Sequence, residues 1–131
     1  GKMIKGRLGD DLDTDAGYTA ARQTGLAVLA TLRAHCGSLD RVKRLLKTVG
    51  LVNCTPDFVA QPAVINGFSE LMRDVFGEEA GIAARSAIGA VSLPAGVAVE
   101  IEGIFELAEE RESWLAQLLI FDSSCCCSSC F

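Results

Sequence analysis

Apolar positions along this chain recur at two periods, and the switches between them outline its elements. From Asp15 to Cys36, Tyr18, Ala21, Gly25, Val28, Leu29 and Leu32 fall three or four residues apart, which is the core stripe of a surface helix. Asp13 or Thr14 can cap its start and Gly37 can end it, while Ala20, Ala27, Ala30 and Ala34 suit close packing. A second stripe, Ile65, Phe68, Leu71, Met72, Val75 and Phe76, predicts another helix, entered at Pro62 after the turn residues Thr55-Pro56-Asp57 and closed by Gly77. Between the helices, Leu39 to Val42 leads into a strand centred on Leu45 to Asn53, where Gly50 marks a bulge or a close backbone approach. Lys2-Met3-Ile4, followed by Gly6 and Gly9, resembles the end of a strand and a turn.

After the second helix, Ala84 to Val91 and Val97 to Phe105 are β-branched, apolar-rich runs separated by Leu93-Pro94-Ala95-Gly96. Proline followed by glycine is turn chemistry, so the stretch predicts an antiparallel hairpin. The order is then strand remnant, helix, strand, helix, strand, strand. That is an α+β layer with two helices on one face of a mixed sheet, and the other face needs a cover such as a second subunit.

Centring the hairpin between Pro94 and Ala95 sets Gly89 opposite Glu100 and Ala87 opposite Glu102. Arg85, Ala87, Gly89, Glu100 and Glu102 then share one face, with Val97, Val99 and Ile101 on the other. Two readings of the charged face stand side by side. Arg85 and Glu102 would be diagonal neighbours roughly 7 to 8 Å apart at the backbone, a gap that an ordinary ion pair closes. Alternatively, Arg85 forks onto a ligand carboxylate while Glu100 holds a water or a proton. Spacing favours the ion pair; the small residues Ala87 and Gly89, which leave room beside the charges, favour the site.

Composition narrows the function classes. A chain of 131 residues with 50% hydrophobic and 22% charged residues is sized for one soluble domain. No apolar run approaches the roughly 20 residues of a membrane span, and the N-terminus has no signal-peptide core, so a cytoplasmic location without membrane partners is expected. Of the formal charge of −5, the segment after Ala108 carries −3. A near-neutral body disfavours a nucleic-acid partner, and the basic flank of Arg41, Lys43, Arg44 and Lys47 reads as a solvated face. The single histidine, His35, makes a histidine metal cage or a Ser-His-Asp triad improbable; at its helix end it favours the dipole when charged. Cys36 and Cys54 read as small buried hydrophobes. Cys125, Cys126, Cys127 and Cys130 crowd the end without a second ligand pair for zinc, so no metal is expected there.

Several runs together resemble the RidA family, also called YjgF or endoribonuclease L-PSP. They are Leu39-Asp40-Arg41-Val42-Lys43, Gly50-Leu51-Val52-Asn53, Asp57-Phe58, Val75-Phe76-Gly77, Ala84-Arg85-Ser86, Leu93-Pro94 and Val99-Glu100-Ile101-Glu102. The likeness covers about Gly6 to Leu107. It implies a chorismate-mutase-like fold, a homotrimer with ligand clefts between subunits, and hydrolysis of reactive 2-imino acids to 2-oxo acids and ammonia without a cofactor. By position, Arg85 resembles the arginine that clamps the substrate carboxylate, Glu100 the glutamate that helps hold the attacking water, and Ala87 the cysteine position whose backbone contacts ligand. Ser69, with Asn66 three residues before it, stands where an asparagine contacts ligand in the imine-deaminase branch. Three features depart from the family, this serine being the first. Ile82-Ala83 precedes Ala-Arg-Ser where His, Pro or Tyr is usual, and the N-terminal strand pair is missing. The run Val64-Ile65-Asn66-Gly67-Phe68-Ser69 resembles a less characterised branch. A binding module for a small carboxylate or carbonyl metabolite is the alternative function, and RNA cleavage the third.

The family pattern occupies residues 1–108 and stops near Leu107. Residues 109–131 are expected to be a separate tail: a helical turn using Trp114, Leu115, Leu118 and Leu119, then a Ser/Cys run without periodicity. With the abrupt start at Gly1, this suggests a fragmentary or mis-framed reading of a longer gene.

Overall fold

The computed structural model describes residues 2–108 and the backbone of residues 118–122. Helix α1 spans Thr14–Cys36. The Asp13 side chain caps it by accepting from the Ala16 N–H at 2.8 Å, and Gly37, left-handed at φ 79°, returns its N–H to the Arg33 carbonyl. Helix α2 spans Gln61–Gly81, with Pro62 in its first turn, where a missing N–H costs nothing. Gly77 does break the helix, at φ 84° and ψ 171°, but helical geometry resumes for one further turn to Gly81. The expected end at Gly77 is therefore an interruption.

The helices pack against each other through small residues. A Cβ on Gly67 of α2 would collide with the Tyr18 carbonyl of α1, and one on Gly25 of α1 would sit 2.8 Å from Leu71 and 3.2 Å from Phe68. Around this contact the core gathers Leu32, Ile65, Phe68 and Met72, together with Phe105 and Ile101 from the sheet. Burying a side chain as large as Phe68 or Phe105 contributes about 2–3 kcal/mol.

The sheet is mixed, with strands β1 (Val42–Asn53), β2 (Ala84–Ala90), β3 (Val99–Leu107) and β4 (Leu118–Asp122) in the order β2-β1-β3-β4. This corrects the expected hairpin. β2 and β3 are not neighbours: β1 lies between them, parallel to β2 with Gly50 beside Ala87, and antiparallel to β3 with Gly50 beside Ile101. The connection from β2 to β3 crosses the end of β1, which it grips from both sides: Cys54 N–H bonds the Ala90 carbonyl, and Asn53 N–H bonds that of Ala98. The Pro94–Gly96 turn, with Ala95 at φ 57°, bends that crossing and closes no hairpin. Strand composition explains the order. β1, burying Val42, Leu45, Thr48, Gly50 and Val52, and β3, burying Val99, Ile101, Gly103, Phe105 and Leu107, take the two inner places, whereas β2, with Arg85, Ser86 and Gly89 exposed, suits an edge.

The new order also separates the expected charged face. Beside Gly50 of β1 a Cβ would lie 2.6 Å from Ile65 of α2, so Gly50 is a close approach and its face is the helix-covered one. Thr48, Gly50 and Val52 share that face with their partners Arg85, Ala87 and Gly89 on β2, and with Val99 and Ile101 on β3. Glu100 and Glu102 pair with Leu51 and Val49 and point the opposite way. The shared face of Arg85, Glu100 and Glu102 therefore does not exist, because that alignment required β2 and β3 to be neighbours.

Residues 4–12 do not form the expected strand end. They dock by isolated bridges, Lys5 to Val97 and Leu8 to Cys54, with Leu8 fully buried. In the tail, Leu118 and Leu119 belong to β4, paired with Glu106 and Phe105 of β3 respectively, and not to a helical turn. The remaining tail features, including Trp114 and the cysteine cluster, lie outside the described residues. Cys36 and Cys54 are buried, as expected. No helix among the described residues is long and apolar enough to cross a membrane.

Candidate carboxylate site beside Arg85

Arg85 enters from the second residue of the edge strand β2, on the face that α2 covers. α2 presents Asn66, Ser69, Glu70 and Arg73 at spacings of three and four, so the four lie along one stripe. Arg85 Nη1 donates to Asn66 Oδ1 at 2.7 Å and to Ser69 Oγ at 3.1 Å. Nη1 carries two hydrogens, so both are committed to the helix, and the Nη2/Nε edge remains as a bidentate fork. Among the described residues no carboxylate lies within ion-pairing distance of the guanidinium. The ion pair with Glu102 is thus replaced by two neutral acceptors that orient the charge without cancelling it.

Arg85 borders a cavity of about 270 Å³ lined also by Leu45, Thr48, the α2 stripe and the Gly81–Ala83 segment. Its size suits a metabolite of a few carbons; drug-sized ligands occupy roughly 300–1,000 Å³. Ile82 and Ala83, the departure from the family pattern before Arg85, supply apolar wall.

Of the residues singled out in the sequence, Arg85, Asn66 and Ser69 come together. Ala87 lies two residues along the same strand face, where its side chain packs against the core. Glu100 is not part of this cavity. Register places it two strands over and three residues along from Arg85, roughly 14 Å away at the backbone and on the other face.

Tyr18 and Glu70 were not anticipated. Tyr18, expected in the core, is half-buried, and its hydroxyl donates to Glu70 Oε2 at 2.5 Å. That bond, with slight desolvation and the Glu70 charge, raises the Tyr18 phenol above its ordinary value. The partners are 52 residues apart, a distance over which periodicity says nothing; the polar stripe on α2 was the available signal.

Comparison with known proteins agrees with this architecture. The family model described as "YjgF/chorismate_mutase-like, putative endoribonuclease" matches residues 1–101. Protein TCP17 of Trypanosoma cruzi is 45% identical over 107 residues, covering 82% of this chain and 67% of that protein. The crystal structure of Atu1372 from Agrobacterium tumefaciens, a protein of unknown function, superposes with a TM-score of 0.78 at 38% identity, covering 81% of this chain and 68% of that one. A structure described as a putative endoribonuclease, from Shewanella oneidensis, gives 0.71 at 30% identity, covering 75% and 64%. The chain thus spans about two thirds of the length of each relative. With an α+β fold matching these neighbours and a family match over most of its length, the chain belongs to the YjgF/chorismate mutase-like family.

Proposed function

We propose that the Arg85 cavity binds small 2-imino and 2-oxo acids, and that the assembled protein hydrolyses the imine to the oxo acid and ammonia. The observation that carries this reading is the Arg85 guanidinium, aimed by Asn66 and Ser69 with its fork uncompensated. A preoriented cation at a small cavity is what carboxylate capture requires, and little ordering cost remains to be met on binding. In the reaction, water adds across the C=N bond, its proton passing to nitrogen, and the resulting carbinolamine expels ammonia. No electrons are exchanged and no cofactor is called for.

Glu100, which resembles the family's water-holding glutamate, faces away from Arg85, so in this reading it serves a site completed by a neighbouring subunit. The face around Glu100 also carries Val49, Leu51, Ile104 and the exposed Ile88, apolar surface that an assembly would cover. A homotrimer is the assembly that the family resemblance suggests. The separation of Arg85 and Glu100 equally favours a second reading, a binding module that holds such acids without turning them over. RNA cleavage is weaker, given the net charge of −5 and the single histidine at the exposed end of α1.

The test is to generate 2-iminobutanoate in situ and follow its loss with wild type, Arg85→Ala and Arg85→Lys. The enzymatic reading expects acceleration over buffer that falls at least tenfold in both variants, since lysine lacks the fork. Saturable 2-oxobutanoate binding with no acceleration would establish the module instead.

A further inference from the structure

We propose that Glu70, positioned by Tyr18, is the cation-recognising half of the Arg85 cavity. The preferred ligand is then an amino-acid-like zwitterion, with its carboxylate on Arg85 and an ammonium or iminium nitrogen on Glu70, and a plain 2-oxo acid binds through Arg85 alone. This rests on the carboxylate reading of Arg85.

Three charged side chains line this cavity, Glu70, Arg73 and Arg85. Arg73 has a carboxylate neighbour of its own, its Nη2 lying 3.5 Å from Asp74 Oδ1. Arg85 and Glu70 remain, each with neutral partners only: Asn66 and Ser69 for the guanidinium, Tyr18 for the carboxylate. Among the described residues no cation lies within 4.0 Å of Glu70. Arg22, one turn beyond Tyr18 on α1, influences the phenol but does not line the cavity.

Placement supports the same division of labour. Glu70 directly follows Ser69, one of the two groups that orient Arg85, and both charges border the same 270 Å³ space without pairing with each other. The phenol occupies Oε2, and Oε1 makes no hydrogen bond among the described residues. A carboxylate has lone pairs for both tasks, so Tyr18 can fix its rotamer while Oε1 accepts from a ligand N–H. For an imine this arrangement also matters chemically. A carboxylate beside the nitrogen favours the protonated iminium, the more electrophilic form towards water.

A purely structural role, in which Tyr18 and Glu70 simply tie α1 to α2, is separated by Glu70→Gln. The amide retains an oxygen for the phenol and removes only the charge. Binding of 2-aminobutanoate and 2-oxobutanoate, which share a carbon skeleton, should be measured by calorimetry for wild type, Glu70→Gln and Arg85→Ala. Wild type is expected to prefer the amino acid, Glu70→Gln to weaken that ligand about tenfold while leaving the oxo acid within twofold, and Arg85→Ala to lose both. If Arg85→Ala loses both but Glu70→Gln leaves the ratio unchanged, the Glu70 role is overturned and the carboxylate reading stands. If Arg85→Ala binds both as wild type does, or wild type binds neither, both fall together.

Discussion

Arg85 and Glu100 lie on opposite faces of one sheet, with β1 between their strands. No single chain brings both onto a small ligand, and this gives a sharp prediction for the enzyme reading. Arg85→Ala and Glu100→Gln should each be inactive alone, yet subunits mixed through unfolding and refolding should recover about a quarter of the wild-type sites, those drawing intact residues from different subunits. The imine assay on mixed and unmixed samples checks it. Activity that is never recovered would place both residues in one subunit's site, or Glu100 outside the chemistry.

Tyr18 is the only tyrosine in the chain, so its ionisation is directly visible as phenolate absorbance near 295 nm. Its midpoint should lie above 10.0, because the bond to Glu70 favours the protonated phenol. The linkage sign follows. A raised folded value means that the stabilisation is fully present below the unfolded value near 10 and is lost as pH rises through the folded one. Glu70→Gln should bring the midpoint down, since its neutral amide neither accepts as strongly nor repels the phenolate. An unchanged midpoint would show that the contact does not persist in solution.

Gly67 sits at a close contact between α1 and α2, and a methyl group there would strike the backbone at Tyr18. Alanine ordinarily gains about 1 kcal/mol over glycine inside a helix. Here the steric term should dominate, and Gly67→Ala is expected to lose more than about 2 kcal/mol in urea denaturation. The same separation of the helices would move Tyr18 from Glu70, so the tyrosine midpoint should fall in parallel.

Strand β4 pairs along β3 from Glu102 to Glu106, while the Arg85 cavity lies beside β2 at the opposite edge of the sheet. Truncation after Ala108 should therefore lower the urea midpoint by exposing the β3 edge, yet leave 2-oxobutanoate affinity within twofold. Lost affinity would show that the far edge supports the cavity.

Much of this architecture could be read from local pattern. Asp13, the Tyr18-to-Leu32 stripe and Gly37 mark α1 because capping and helical period are contained within a few residues. Gly50 was legible as a close approach, although only the structure shows that Ile65 fills the space. The hairpin failed for a physical reason: Pro94 to Gly96 is turn-forming locally, whereas strand order depends on burial across the whole sheet, and the apolar strand β1 inserts between β2 and β3. The polar pair Arg85-Ser86 was the signal in the sequence that Ala84–Ala90 is an edge, and both are exposed in the structure. Asn66 and Ser69 were anticipated through family resemblance, but their hydrogen bonds to Arg85 depend on where α2 crosses the sheet. The Tyr18–Glu70 contact joins two helices across their interface, where neither residue's neighbours in sequence foretell the other.

Titration of 2-oxobutanoate into wild type, Arg85→Lys and Arg85→Ala, with 2-butanone as the ligand lacking a carboxylate, tests the central claim most directly. Because Arg85 is exposed, the variants should fold with stability within about 0.5 kcal/mol of wild type. Wild type should bind 2-oxobutanoate saturably, both variants at least tenfold more weakly, and none of the three should bind 2-butanone. Equal affinity of wild type and Arg85→Ala for 2-oxobutanoate would contradict the assignment of Arg85 as the carboxylate clamp.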